Sequence, residues 1–301
     1  MTKGISRFIQ IIILIILFSL LSIFSLKILH KVGYCVGWLC LKLPNPLKRI
    51  VQINIKLCFP ERSKEAQDGL LADTLKQTGC TILEYAMYWF WSPEKILALL
   101  QMPIRGQRLM DDAILRGKGV ILVGAHLGSW EMIPFFLPRH YPTTFLYRVP
   151  RLPFLDRFIK RIRARTGAQM VPASPAGIKM FLQALKRGEV VALIADQVPH
   201  HNEGGMMAPF FGEPAFTATL VARLAHKTGA TVLMGYMERL ADAKGFVGHY
   251  MTAPANIADS DLEKAATALN QGLAQCILEN PTQYQWGYKR FKKRVGLPRV
   301  Y

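Results

Sequence analysis

The stretch Ala113–His126, AILRGKGVILVGAH, is repeated in plan by Ala184–Gln197, ALKRGEVVALIADQ. In each, the end of a helix is followed by a glycine turn and then by an unbroken run of apolar residues. Strands that are apolar on both faces are typical of parallel sheets covered by helices. Two further strands and two helices are predicted, at 143–149, 229–240, 153–166 and 176–187. The sequence therefore predicts an α/β fold with a mixed, mainly parallel sheet flanked by helices.

The first third of the chain has a helical character instead. Prolines open a predicted helix that closes at Phe59-Pro60, and Ser63 begins another that runs to about Phe90. We expect residues 31–301 to form one domain, mainly helical over 31–110 and α/β over 111–301.

The N-terminal segment Phe8–Leu26, FIQIIILIILFSLLSIFSL, contains 19 residues without a charge. As a helix it would be about 28 Å long, which is just enough to cross the apolar core of a bilayer. Basic residues flank it on both sides, and no small-residue cleavage site follows it. We therefore expect residues 1–30 to form an uncleaved, single-pass transmembrane anchor.

The composition limits the classes of partner and cofactor. Lys and Arg number 38 against 20 acidic residues, a net charge of +18, which favours anionic partners such as lipid head groups or an acidic protein. Nucleic acid is not expected, because no groove-reading or stacking motif is present. The five cysteines form no disulfide or zinc pattern, so a reducing compartment and no metal are expected. His200 and His201 are predicted to be loop residues.

Polar residues follow three of the predicted strands. His126 and Asp196 come after two strand ends, and Arg148 lies near the end of a third. In open α/β sheets ligands bind beyond the carboxyl ends of the strands, so we expect these side chains to converge. Asp196 has an alternative role as a simple helix cap.

The motif HLGSWE, His126–Glu131, provides a candidate catalytic pair. On one regular helix these two side chains would point about 140° apart, so they can meet only if His126 lies in the turn that Gly124 and Gly128 permit. Glu131 would then hold one imidazole nitrogen and leave the other as a general base. No GxSxG elbow is present, which favours direct attack by an acceptor hydroxyl on an activated acyl carbon. The alternative is a core histidine satisfied by a nearby carboxylate.

The predicted helix 153–166 carries Arg163 at the edge of its apolar stripe, where a free cation would be costly. We expect Arg163 to bind an anionic group, or alternatively to pair with Asp156 or Asp196. Phe210 and Phe211 are candidates for an acyl groove, or else for the core.

Four ordered blocks resemble a known family. HLGSWE resembles the HX4E motif of membrane acyltransferases related to the glycerol-phosphate acyltransferases. Together with three later blocks it is similar to the late acyltransferases of lipid A biosynthesis, the lauroyl and myristoyl transferases. Those blocks are LYRVPRLPFLDRFIKRIRAR (146–165), GEVVALIADQ with APFFGEPAFTATLVARLAHKTGA (188–197 and 208–230), and PTQYQWGYKRFKKR (281–294).

The resemblance implies a function. His126 would be the base and Glu131 its partner, the donor would be an acyl-acyl carrier protein, and the acceptor a hydroxyl of a lipid A precursor at the cytoplasmic face of the inner membrane. No cofactor is implied. The residues expected to bind substrate are Arg163, Asp196, Arg148 and Gly128. The C-terminal YKRFKKR run is expected to be either a solvated end or, beside a bilayer, a contact for head groups or carrier protein. Alternatives are another glycolipid or lysophospholipid acceptor, or a non-enzymatic, basic, membrane-associated lipid-binding protein.

Overall fold

The computed structural model describes residues 2–150, 152–199, 204–293 and 296–301. Its α-helices are α1 (Thr2–Leu21), α2 (Leu26–Lys42), α3 (Pro46–Cys58), α4 (Lys64–Phe90), α5 (Pro93–Leu97), α6 (Gln107–Leu115), α7 (Ile133–Phe136), α8 (Pro153–Arg163), α9 (Pro175–Lys186), α10 (Leu220–Thr228) and α11 (Leu262–Glu279). Its strands are β1 (Leu100–Arg105), β2 (Val120–Gly124), β3 (Thr143–Tyr147), β4 (Gln169–Pro172), β5 (Val190–Ile194), β6 (Gly205–Phe210), β7 (Glu213–Ala218), β8 (Thr231–Arg239) and β9 (Phe246–Thr252).

Seven strands form one sheet in the order β1-β9-β8-β2-β5-β3-β4, and β6 pairs with β7 in a separate hairpin. Every neighbouring pair in the large sheet is parallel except β8 with β9. The central strand β2 is buried along its whole length because helices cover both faces of the sheet. The predicted mixed, mainly parallel sheet flanked by helices is confirmed.

Alternate residues of the central strands belong to different cores. Ile121 and Val123 of β2 pack with α9, α10 and α11 on one face, whereas Val120 and Leu122 pack with α6 and the α7 region on the other. This alternation follows from the two-residue period of a strand. A third apolar cluster joins α1, α2 and α4 to the α7–α8 region.

The helices of the first third begin and end as their capping residues require. Asn45 accepts a hydrogen bond from the backbone N–H of Lys48 at 2.8 Å and begins α3, with Pro46 in its first turn. Ser63 accepts one from the backbone N–H of Ala66 and begins α4. The structure has both predicted helices, with the expected boundaries at Phe59 and Phe90.

The apolar run 8–26 does not form one helix. α1 ends at Leu21, and a turn precedes α2, so that about 21 Å of the run is continuous helix. The turn is held where the indole N–H of Trp91 donates to the carbonyl of Ser22 at 2.7 Å, and Phe18 packs edge-on against Trp89. Within the described residues, no helix has the length and apolar character needed to cross a membrane. The structure therefore corrects the prediction of a single spanning helix over 8–26.

Glycines bring α2 and α4 into close contact. A methyl group on Gly79 would lie 2.0 Å from the carbonyl oxygen of Gly33, and one on Gly37 would lie 2.4 Å from that of Leu75. The two backbones therefore touch, and only hydrogen fits at these positions. This contact sets the distance between the N-terminal helices and the rest of the fold.

We predict that Gly79→Ala lowers the free energy of unfolding by about 1–3 kcal/mol, because the added methyl group forces α2 away from α4. Gly69→Ala is the matched control on the same helix, since nothing lies within 4 Å of its added methyl group. That change should raise stability by up to about 1 kcal/mol through helix propensity. Thermal unfolding of the two variants measures the difference, and equal shifts in Tm would contradict the close contact.

Candidate active site

The register of β2 and β5 places two polar side chains together. The strands pair in parallel with Gly124 opposite Ile194, and the second residue beyond each is His126 or Asp196. Neighbouring strands lie about 4.8 Å apart, within reach of a direct hydrogen bond between these side chains. His126 Nδ1 lies 2.7 Å from Asp196 Oδ1, and the backbone N–H of His126 donates to Asp196 Oδ2 at 3.1 Å.

The pairing determines which imidazole nitrogen can act as a base. An ionised carboxylate can only accept hydrogen bonds, so His126 Nδ1 carries the proton and donates it to Asp196. Nε2 then keeps its lone pair, with the side-chain amide of Gln197 at 3.4 Å. The His126 side chain is 20% exposed, so a substrate proton can reach that nitrogen. This is the arrangement of a base oriented by an acid.

Asp196 is fully ionised although it is buried. Burial alone would raise the pKa of its carboxyl group. The interactions with the ring and backbone N–H of His126, together with the charge of Arg290, hold the pKa below its ordinary value instead. The buried carboxylate therefore keeps the negative charge that stabilises a protonated His126.

Glu131 has a different partner from the one predicted. Among the described residues it is bound by the guanidinium of Arg163, which donates through Nε to Glu131 Oε2 at 2.9 Å and through a second nitrogen to Oε1. Tyr85 donates to the same carboxylate at 3.4 Å. The predicted hydrogen bond from the His126 ring to Glu131 is absent, because the short turn at 130–132 directs Glu131 toward α8. Arg163 likewise pairs with neither Asp156 nor Asp196.

An apolar cavity opens beside these side chains. About 520 Å³ of space lies between its lining side chains, counting the open mouth. The Glu131–Arg163 pair and Trp130 are in its wall, and Trp130 also packs edge-on against the His126 ring at 5.1 Å. The remaining wall comes from the start of α7 and from β2, β3, β4, β5 and β8, and it includes Phe145, Leu146, Met170, Ala192 and Leu193. Trp130 therefore links the His126 ring to a cavity that lies against the sheet.

Two other predicted site residues have separate positions. The backbone N–H of Gly128 donates to the carbonyl of Gln283 at 3.1 Å, so it is already used. Gly128 has a positive φ of 61°, and a methyl group on it would lie 1.9 Å from the carbonyl oxygen of Met237. Only glycine fits this position, and the predicted contact of Gly128 with substrate stays a prediction. Arg148 is exposed just beyond the end of β3.

Phe210 and Phe211 do not line the cavity. Phe210 is buried against Phe211 and Tyr284, and Phe211 packs on Phe59. The structure thus assigns both to an aromatic core cluster and corrects the acyl-groove prediction.

The basic C-terminal run is also partly internal. Arg290 is 2% exposed and donates to the carbonyl of Phe216 and the hydroxyl of Thr217. It is therefore not part of a solvated basic surface. His200 and His201 lie outside the described residues, and in the described part of the chain no group of three or more His, Cys, Asp or Glu could hold a metal ion.

A buried ionic network lies behind the turn that carries His126 and Glu131. Glu84 of α4, 1% exposed, accepts two hydrogen bonds from Arg239 at the end of β8 and one from His30 of α2. Ser129 of the turn donates to Glu84 at 2.6 Å. A carboxylate inside the apolar stretch ILEYAMYWFW was the available sequence signal, but the sequence does not show its partners.

The site combines an imidazole paired with a buried carboxylate and an apolar cavity, an arrangement that enzymes use for proton transfer on substrates with an apolar portion. A model of the family of bacterial lipid A biosynthesis acyltransferases matches residues 3–293. The chain belongs to this family and is an acyltransferase.

Individual relatives agree with the family assignment. The lipid A biosynthesis lauroyltransferase of Escherichia coli (strain K12) is 28% identical over 91% of this chain and 89% of its own length. The palmitoleoyltransferase of the same organism is 28% identical over 92% and 98%. A phosphatidylinositol mannoside acyltransferase of Mycobacterium tuberculosis (strain CDC 1551 / Oshkosh) is 27% identical over 68% and 67%.

We predict that Glu84 makes the fold acid-sensitive. Burial opposes its ionisation, but the charge of Arg239 outweighs burial and lowers the pKa of Glu84 to about 2 from 4.5. Its contribution, about 3 kcal/mol, is therefore complete above pH 4.5 and is lost as the pH falls toward 2. Thermal unfolding of the wild type should show Tm falling steeply between pH 4.5 and pH 3.

Glu84→Gln should start from a lower Tm at pH 7 and lose less over the same interval. Glu189→Gln, which removes the carboxylate paired with Arg187 near the surface, should keep the wild-type acid dependence. Identical acid profiles for wild type and Glu84→Gln would contradict the assignment.

Proposed function

We propose that this acyltransferase moves a fatty acyl group from an acyl-carrier-protein thioester to a hydroxyl of a lipid A precursor, with His126 as the general base. The observation that carries the proposal is the 2.7 Å contact between His126 Nδ1 and Asp196, which leaves the lone pair of Nε2 as the proton acceptor. The His126 ring packs on Trp130, which lines the apolar cavity. In this proposal Asp196, rather than Glu131 as the sequence predicts, orients the His126 base.

The transfer follows from this geometry. As the acceptor hydroxyl oxygen attacks the thioester carbonyl carbon, its proton passes to His126 Nε2. The resulting imidazolium is stabilised by the Asp196 carboxylate. When the carbon–sulfur bond breaks, the imidazolium returns the proton to the leaving thiolate. His126 ends in its starting state, the acyl group is on the acceptor oxygen, and no covalent enzyme intermediate is needed.

The cavity provides a place for the acyl chain. Its wall is almost entirely apolar, which favours a hydrocarbon chain by removing it from water. Trp130 contacts both the cavity and the His126 ring, so a chain in the cavity would bring its carbonyl end toward the base. The Glu131–Arg163 pair closes one side of the wall and keeps both charges neutralised.

The charge distribution supports anionic substrates. Arg157 and Arg161 of α8 are exposed, as is Arg148, which precedes this helix. This group could bind the phosphates of a lipid A precursor or the acidic surface of a carrier protein. The likeness to a phosphatidylinositol mannoside acyltransferase supports a second candidate, another glycolipid acceptor, on the same chemistry.

The two N-terminal helices support contact with a membrane surface. The exposed apolar side chains of these helices and of the residues that adjoin their ends include Ile13, Leu20, Ile23, Trp38 and Leu43, each at least half exposed. Lys27, Lys31 and Lys42 lie on the same helices and suit anionic head groups. An apolar surface of this extent on a basic protein is typical of membrane binding.

We predict that His126→Ala and Asp196→Asn each lower kcat by about 10²–10⁴, because one removes the base and the other its orienting carboxylate. The assay uses purified protein in detergent with acyl-acyl carrier protein and tetraacylated lipid A precursor. His226→Ala is the matched control, since His226 is an exposed histidine on α10 outside the site, and it should retain wild-type kcat.

Glu131→Gln separates the two possible orienting carboxylates. If Glu131→Gln loses as much as His126→Ala while Asp196→Asn stays near wild type, Asp196 does not orient the base. If His126→Ala is as active as wild type, the proposed mechanism is wrong. A folded wild type that fails with this acceptor but acylates a mannosylated phospholipid would favour the second candidate.

We predict that Met170→Trp shortens the acyl chain that the enzyme accepts, because Met170 lines the cavity. The kcat/KM for the longest good donor should fall by on the order of 10-fold or more, while a donor a few carbons shorter is spared. Competition between acyl donors of different length measures the preference. Met102→Trp, at an exposed position on β1, should leave it unchanged. An unaltered chain preference in Met170→Trp would show that the chain binds elsewhere.

A further inference from the structure

A buried carboxylate on α4 collects donors from three separate parts of the chain. Glu84 accepts from His30 Nε2 at 2.8 Å, from Arg239 through a two-nitrogen contact, and from the hydroxyl of Ser129 at 2.6 Å. The first two come from α2 and the end of β8. The third comes from the turn that carries His126 and Glu131. The mechanism above uses none of these groups.

The network is complete on the side away from the turn. Arg239 also donates through Nη1 to Gln77 Oε1 and through Nη2 to Thr81 Oγ1, both at 2.9 Å. Its backbone N–H is bound by the side chain of Gln283 at 2.9 Å, which also donates to the Arg239 carbonyl at 2.8 Å. Glu84 is therefore held in place by groups other than Ser129, and it can anchor the Ser129 side chain.

Ser129 connects Glu84 to the turn that carries His126. Its hydroxyl donates to Glu84 and accepts from the hydroxyl of Tyr88 at 2.5 Å, so both of its hydrogen-bonding directions are used. Ser129 is 2% exposed. Its backbone N–H donates to the carbonyl of Met237 at 2.8 Å. The side chain is thus anchored on α4 and the backbone on β8.

The position of Ser129 within the turn gives this anchor its effect. Ser129 lies three residues after His126 and two before Glu131, in a non-helical conformation (φ −106°, ψ 58°). Backbone hydrogen bonds tie the turn to β8 and to residues 283–285, through the N–H groups of Gly128 and Ser129 and the carbonyl of His126. The contact to Glu84 adds a side-chain anchor, which ties the turn to α4 as well.

We propose that Ser129 and Glu84 are positioning residues, which hold the turn so that the His126 ring keeps its place against Asp196 and Trp130. The inference rests on the proposed function for its effect on turnover, but the placement of the His126 ring can be measured without turnover. It predicts that the loss of the Ser129 hydroxyl affects the base itself and that the loss of a comparable hydroxyl elsewhere in the same network does not.

The test compares Ser129→Ala with Thr81→Val. Each removes one hydroxyl from the network, but Thr81 lies on the far side of Arg239 and contacts nothing in the turn. Ser129→Ala should lower kcat by about 10- to 100-fold, with KM for the acyl donor little changed, as expected when a catalytic group is misplaced. Thr81→Val should keep wild-type kcat. Melting temperatures of both variants show whether a difference in folding contributes.

A second measurement follows the ring directly. The rate at which diethyl pyrocarbonate modifies His126, read by peptide mass spectrometry, depends on the access and basicity of Nε2. Ser129→Ala should change this rate, and Thr81→Val should not. If kcat falls without a change in the modification rate, or the rate changes without a fall in kcat, the positioning role is overturned. Equal effects of the two variants overturn it as well.

The two readouts keep this inference separate from the proposed function. If the wild type transfers no acyl group to any acceptor tested, the proposed function fails. The modification rates still decide whether Ser129 positions the His126 ring: a change only in Ser129→Ala supports the inference, and no change overturns it.

Discussion

The parallel pairing of β2 with β5 is the constraint on which the site depends. With Gly124 opposite Ile194, the chain leaves both strands at the same level, and the second residue beyond each is one half of the His126–Asp196 pair. A slip of one residue in this register would turn one of the side chains to the other face of the sheet. The register is held because residues 120–123 of β2 and 190–193 of β5 are buried, in cores that differ between the two faces.

A second constraint joins the helical first third to the sheet. Glu84 and Arg239 are each about 1% exposed at the side chain, one on α4 and the other at the end of β8. Such a pair is costly to bury, and removing one partner leaves an uncompensated charge, so the two elements must stay together. The Glu84 carboxylate also accepts a hydrogen bond from Ser129, in the turn that carries His126 and Glu131. The N-terminal helices therefore contribute to the site although none of their residues lines the cavity.

Sequence reasoning succeeded where a local pattern has only one physical solution. Continuous apolar strands after glycine turns have to be buried on both faces, and the helix beginning at Ser63 is specified by its cap. The prediction that polar residues converge beyond the strand ends was right for His126 and Asp196. For Phe210 and Phe211 the sequence left an acyl groove and the core as alternatives, because an aromatic pair before a glycine has the same pattern in both, and the structure places the pair in the core.

What the sequence by itself determined is the family, the α/β architecture and the identity of the candidate base, since these follow from ordered motifs and from the period of the apolar residues. Only the tertiary structure decided which carboxylate His126 uses. Asp196 is 70 residues away along the chain but follows β5, the strand that pairs with β2, and so lies beside His126. Glu131 is only five residues away, but its side chain points toward Arg163. The tertiary structure also decided that the N-terminal apolar run is interrupted by a turn. Phe18 packs on Trp89 of α4 and the carbonyl of Ser22 accepts a hydrogen bond from Trp91, and hydropathy along the chain does not reveal either contact. Hydrogen bonds between distant segments depend on how the strands pair, and the order of residues in a single sequence does not show which strands are neighbours.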